Sequence, residues 1–156
     1  MIALQHQLGY EESDGLPFFY AFTGCDSVSS FFNHGKCKFF DTWMKINQND
    51  NTLTEVFQAL SNKPLEITPD QFTTLEKYII KVYNSNVIAD ICLNRFRMNE
   101  FLKSACPNLR NLIMSRKGLI EHTKRACLQA GWLWRECEAN ISKQCPTDWG
   151  WIEDKE

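Results

Sequence analysis

Residues 116–139, RKGLIEHTKRACLQAGWLWRECEA, hold the longest regular pattern in the chain. Leu119, Ile120, Thr123, Ala126, Cys127, Ala130, Leu133, Trp134 and Cys137 recur at steps of three and four, while Arg116, Lys117, Glu121, Lys124 and Arg125 fall off that stripe. Such a period belongs to a helix with one face against a core. It predicts one helix from about Arg116 to Ala139. Gly131 costs that helix roughly 1 kcal/mol against alanine, so it marks either a close helix contact or an early end.

The same period recurs upstream. Phe72, Leu75, Ile79 and Val82 come after Thr68-Pro69-Asp70-Gln71, which has proline at the first helical position and a Thr/Gln pair in a capping-box frame. Asn84-Ser85-Asn86 closes that helix. Leu53, Val56, Phe57 and Leu60 go with Thr52-Leu53-Thr54-Glu55, a second capping-box frame, and Ser61 to Pro64 ends the run. From Gly35 to Asn47 the stripe is Phe39, Phe40, Trp43 and Met44. Leu16 to Phe22 reads as a buried helix with Pro17 in its first turn, and Tyr10 to Gly15 as a loop. Ile2, Leu4 and Leu8 could form a short helix or strand. Val87 to Ala105 can form another helix, and Pro107 to Leu112 a connector. The tail, Cys145-Pro-Thr-Asp-Trp-Gly-Trp, is too aromatic for a free linker and should pack back on the body. Strand signals are nearly absent. The expected fold is an all-α bundle of about six helices, with a helix-hairpin-helix-like turn near the N-terminus and an irregular aromatic tail.

Composition agrees. At 156 residues, 44% hydrophobic and 13% aromatic, the chain can bury one core, and its seven Gly and five Pro allow few turns. No apolar run approaches the roughly 20 residues of a membrane span, and the first residues lack the pattern of a signal peptide. The expectation is an intracellular protein, nuclear or cytoplasmic, with no membrane partner. Seven cysteines, odd in number, without a C-x-x-C pair and mostly at positions that suit a core residue, read as free buried thiols. The net charge of −2 hides a basic middle: residues 95–125 hold eight Lys/Arg against Glu100 and Glu121. Such a stretch can face phosphate or simply balance acidic neighbours.

The chemistry points to Ala21–Trp43, AFTGCDSVSSFFNHGKCKFFDTW. Asp26 sits in a small-residue turn, where it is either a metal-binding carboxylate or the cap of a helix beginning near Ser27. Asn33 to Lys38 reads either as a hairpin whose amides, with Lys36 and Lys38, take a phosphate, or as an ordinary turn with solvated lysines. Gly35 supplies the positive φ a tight hairpin wants, and Asn33 tolerates it. His122, Cys127, Cys137 and Cys145 suggest zinc, but three of them lie in or beside one apolar stripe, which favours core packing. Trp132, Trp134, Trp149 and Trp151 read as core and staple rather than base-stacking residues.

At these residues the chain resembles a family of transposon-associated metazoan proteins. Thr23-Gly24-Cys25-Asp26 with Gly35-Lys36 resembles its GCD…GKGK segment. His122, Arg125, Ala126, Gln129, Ala130 and Trp134 resemble its "H-x-x-R-A-x-x-Q-A-x-x-W" helix, and Thr147 to Trp151 its closing aromatic segment. The GCD segment in turn resembles a passage of flap endonucleases and other PIN-like nucleases. That resemblance implies that Asp26 matches a metal-binding aspartate and Asn33 to Lys38 a DNA-binding hairpin. It implies a Mg²⁺-dependent, structure-specific nuclease as parent, whose other metal carboxylates would precede residue 1. The expectation is therefore a single helical unit over 1–156, the C-terminal part of a larger protein: 1–15 a remnant, 16–47 the GCD turn and hairpin, 48–140 the bundle, 141–156 the tail. Alone it would bind no cofactor and cut nothing. It would hold nucleic-acid backbone through Gly35, Lys36, Lys38, Arg116, Lys117, Lys124 and Arg125. The alternatives are a helical module for a protein partner, which could be the missing N-terminal half, or a decayed mobile-element fragment.

Overall fold

Apolar stripes at helical spacing can be buried only against one another, and they are. The computed structural model describes residues 10–62, 64, 66–86, 91–103, 112–135 and 145–153. Among them are six α-helices and no strand: α1 (Tyr10–Phe22), α2 (Lys36–Asn47), α3 (Thr52–Ser61), α4 (Pro69–Tyr83), α5 (Leu93–Leu102) and α6 (Arg116–Cys127). The architecture is all-α. The element expected within residues 1–9, the ends of the 87–105 helix, most of the 107–112 connector and the 136–139 end of the last helix lie outside the described residues.

α1 is the central element, packed against α3 and α6, while α4 touches α3, α5 and α6. Its Phe18, Ala21 and Phe22 are fully buried. Phe18 and Phe19 meet Phe57 of α3, Phe19 meets Trp43 of α2, and Trp43 meets Phe57 at 4.8 Å between ring centroids. Polar atoms in this aromatic core are partnered, as burial requires. Trp43 Nε1 donates to Thr54 Oγ1 at 2.8 Å, and Tyr78 Oη donates to the Phe39 carbonyl at 2.8 Å.

α2 and α4 begin and end close to where their patterns place them. The Thr68–Gln71 capping box is present in both directions, at 3.2 and 2.9 Å. Four other expectations are corrected. α1 starts at Tyr10, so Tyr10 to Gly15 is helical and Pro17 lies inside the helix rather than in its first turn. The Thr52–Glu55 box is absent: the helix starts one residue too early for it, with Asn51 as N-cap. Asp50 serves instead, accepting from Thr52 N–H at 2.9 Å and from its hydroxyl at 2.5 Å. These bonds favour the ionised carboxyl and lower its pKa. α5 begins only at Leu93, after the non-helical Ile91 and Cys92, and its Leu93 N–H donates to Glu76 of α4 at 2.8 Å.

The fourth correction concerns the longest stripe. After Cys127 the chain widens into a π-turn, Leu128–Trp132, in which the Leu133 N–H reaches back to the Leu128 and Gln129 carbonyls. One extra residue in a turn rotates the downstream residues by roughly 100°. Leu133 and Trp134, expected on the buried face, are each 41% exposed. Gly131 is buried inside this turn.

Gly15 explains the misread start of α1. A Cβ there would lie 2.9 Å from the Phe57 Cβ, so the glycine lets α1 and α3 meet closely. Gly15→Ala is expected to lower stability by ~1–3 kcal/mol in urea unfolding, although alanine is the better helix former. A gain in stability would show that the two helices are free to separate.

Candidate nucleic-acid interface

α1 and α2 are joined by residues 23–35, and their sequence dictates two tight turns. Gly24, at φ +110, lets the chain reverse after α1. Cys25 and Val28 then exchange backbone hydrogen bonds at 2.9 and 3.2 Å. Asp26 is exposed at the tip of that turn. No helix begins near Ser27, so the capping role for Asp26 is corrected, and the hairpin lacks a first helix of its own. A second turn is closed by the His34 N–H to the Phe31 carbonyl at 3.2 Å. Its left-handed residue is Asn33, at φ 57, not Gly35, which is extended at φ −79 and ψ 166. Asparagine tolerates that region because its short side chain bonds locally.

Gly35 is the N-cap of α2, has no side chain to cap it, and is exposed. Its carbonyl accepts from the Lys38 and Phe39 amides. The amides of Lys36 and Cys37 have no hydrogen-bond partner among the described residues. The first turn holds no acid. Lys38 stands beside it, exposed, donating to His34 Nδ1 at 3.2 Å. Burial and the nearby Lys38 both lower the His34 pKa.

Lys36 points the other way. Its ammonium donates to the Tyr20 carbonyl at 2.9 Å, to Thr23 Oγ1 at 3.0 Å and to the Gly24 carbonyl, and lies 4.0 Å over the Tyr20 ring. The acceptors are in the last turn of α1 and the two residues after it, where carbonyls lack helical partners and a cation is favoured. Lys36 thus ties the start of α2 to the end of α1. Partial burial lowers its pKa.

The cations of α6 are mostly engaged as well. Arg116 lies 3.4 Å from the Glu76 carboxylate and 4.8 Å over the Phe72 ring. Lys124 pairs with Glu121 at 3.6 Å. Arg125 donates to the Gly150 carbonyl at 2.7 Å and faces Trp151, which fastens the tail to α6. Lys117 is exposed. His34 touches Tyr83 at one end of α4, and Arg116 touches Phe72 toward the other. At 1.5 Å per residue these points are ~16 Å apart along α4. The expected basic residues therefore form two groups rather than one patch.

His122 is buried in the core. Its Nε2–H donates to the Phe22 carbonyl at 2.7 Å, and its ring meets Phe22 and Phe31. Burial lowers its pKa to about 4, so it is neutral. No group of three His, Cys, Asp or Glu side chains could hold a metal among the described residues, and Cys137 lies outside them. The expectation of buried thiols is corrected, since Cys127 is buried but Cys37, Cys92 and Cys145 are exposed. Of the tryptophans, Trp149 is buried and Trp132 donates to the Pro64 carbonyl, whereas Trp134 and Trp151 are exposed. No helix is long and apolar enough to cross a membrane among the described residues.

Sequence reasoning missed a cavity of about 600 Å³ at the other end of α4, walled by that helix, α6 and the tail. One signal was available: Arg116, Ile120 and Lys124 stand four residues apart, on one face of α6. Comparison with protein families, with curated proteins and with solved structures finds no match to this chain.

Proposed function

We propose that this chain is a non-catalytic helical module that holds a nucleic-acid phosphate at the start of α2. The observation that carries the reading is the pair of amides at Lys36 and Cys37 that have no partner among the described residues, beside Lys38 and with no acid in the turn. Helix N-termini favour anions through such amides and the helix dipole. The likeness of residues 21–38 to a nuclease hairpin pointed to the same turn. Lys36 supports it indirectly, by fixing α2 against α1. Asp26 is a single carboxylate, and a two-metal nuclease needs several. On this proposal the chain carries out no hydrolysis and holds no Mg²⁺ of its own.

Few free cations mean shallow salt dependence. One or two phosphate contacts imply a slope of log K against log salt between about −0.7 and −2. The test is fluorescence anisotropy with single-stranded, duplex and flapped DNA at two salt concentrations, using Gly35→Asp and Lys38→Glu. Gly35 already has the extended backbone of an N-cap, and a Cβ there meets nothing within 4 Å. An aspartate in this position caps the helix and occupies the anion site. Gly35→Asp should raise Tm by ~1–3 °C while weakening DNA binding about tenfold or more. Unchanged binding in that variant overturns the reading.

A second reading has one observation of its own. Met98, Phe101 and Leu102 on α5 are 56%, 37% and 70% exposed, which suits a protein partner. Absence of DNA binding by the unaltered chain at low salt would favour it.

A further inference from the structure

We propose that the cavity between α4, α6 and the tail binds a small apolar molecule carrying a single negative charge. Its volume of about 600 Å³ lies within the usual range of small-molecule sites. Apolar surface comes from three elements: Phe72 of α4, Ile120 of α6 and Trp149 of the tail, with Ile67 ahead of α4. Phe72 and Trp149 are nearly buried, at 5% and 7%, so these walls are held by the core. Trp149 is held in turn by Gly150, whose carbonyl accepts from Arg125.

Charge selects the ligand. Arg116 and Lys124 flank Ile120 on the α6 wall. Lys124 has only a loose partner, Glu121 at 3.6 Å in a pair about one third exposed, whereas Arg116 is held by the buried Glu76 carboxylate at 3.4 Å and by the Phe72 ring. An exposed pair like that of Lys124 contributes little and exchanges readily for a ligand anion, so Lys124 is the cation open to it, while Arg116 stays with Glu76. Glu66 and Asp148 also line the cavity and offset the two cations. One anionic group on the α6 side is accommodated, whereas a polyanion would meet those carboxylates. The site is thus unlike a phosphate-backbone surface. It also lies at the Pro69 end of α4, while the α2 turn sits at the Tyr83 end. The two proposals stand or fall separately.

The test uses 8-anilinonaphthalene-1-sulfonate, an aromatic body with one sulfonate, titrated against the folded chain by fluorescence. N-phenyl-1-naphthylamine, its uncharged counterpart, serves as comparison. Expected are one saturable site per chain, five- to tenfold weaker binding in Lys124→Gln, and loss of binding in Ile120→Glu. The neutral probe should bind more weakly and ignore Lys124→Gln. Lys124 is exposed enough for its variant to fold, so it decides the matter alone if Ile120→Glu does not fold. Several sites per chain, or affinity unchanged in Lys124→Gln, overturns the proposal. So does sedimentation showing a dimer that Ile120→Glu dissociates and the probe does not, because the cavity would then be an interface between two copies.

Discussion

Gly24→Ala should destabilise the chain by ~3–5 kcal/mol, enough to unfold a marginal domain. Gly24 has φ +110, outside the regions that L side chains adopt easily. An added Cβ would lie 2.6 Å from the Ser30 Cβ and 2.7 Å from its Cα, so the backbone itself must move. The same residue's carbonyl takes a hydrogen bond from Lys36, and its neighbour Cys25 pairs with Val28. The damage therefore reaches the α1–α2 junction. Urea unfolding should show a large fall in midpoint with little change in slope. Gly35→Ala is the control. Gly35 is extended, with no atom within 4 Å of a Cβ, so its change should stay within about 1 kcal/mol. A loss below ~1 kcal/mol in Gly24→Ala would mean that the Ser30 segment gives way freely.

Acid should unfold the chain earlier than its carboxylates alone require. The folded-state pKa of His122 is lowered to about 4 from an ordinary 6.5, mainly by burial. Between those values the unfolded chain binds a proton that the native chain refuses. The stability tied to neutral His122 is thus fully present above pH ~6.5 and is lost as pH falls toward 4. At 1.36 kcal/mol per unit the loss is roughly 3 kcal/mol. Nearby groups do not offset it: Arg125 lowers the pKa further, Ser29 is neutral, and the Phe22 carbonyl opposes burial only in part. His34, also lowered, adds a loss of the same sign. Asp50 contributes below the ordinary carboxylate range, in a separate window. Stability measured from pH 8 to 4 should slope downward in the unaltered chain. In His122→Gln, which keeps a donor for Phe22, it should be lower at pH 7 and flatter below. Parallel profiles for the two chains would remove His122 from the account.

Sequence patterns were most reliable where the cause was local. The stripes Phe39–Trp43 and Phe72–Val82 became the buried faces of α2 and α4, and Thr68 with Gln71 became a capping box. Thr52 with Glu55 had the same spelling and did not, because a one-residue shift moved Thr52 off the cap and Asp50 took over. The candidate site was legible in part. The 33–38 turn and α2 stand where the residues placed them, but Asn33, not Gly35, carries the left-handed backbone. Lys36 looked like a free cation and bonds instead to the end of α1. Those partners lie 12 to 16 residues away. Spacing within one turn does not reveal them.

Period and capping chemistry act across a few residues, so the helical class and the main buried faces could be read along the chain. Which helix meets which is a property of the folded bundle. The approach of α1 to α3 made Gly15 helical, and the π-turn moved Trp134 from core to surface. Burial against Phe22 and Phe31 made a histidine weakly basic. The docking of Trp149 against α6 added a wall to an open cavity that no single segment contains. The π-turn is local, but in the other cases the deciding interaction joins residues distant in sequence, and only their packing brings them within reach.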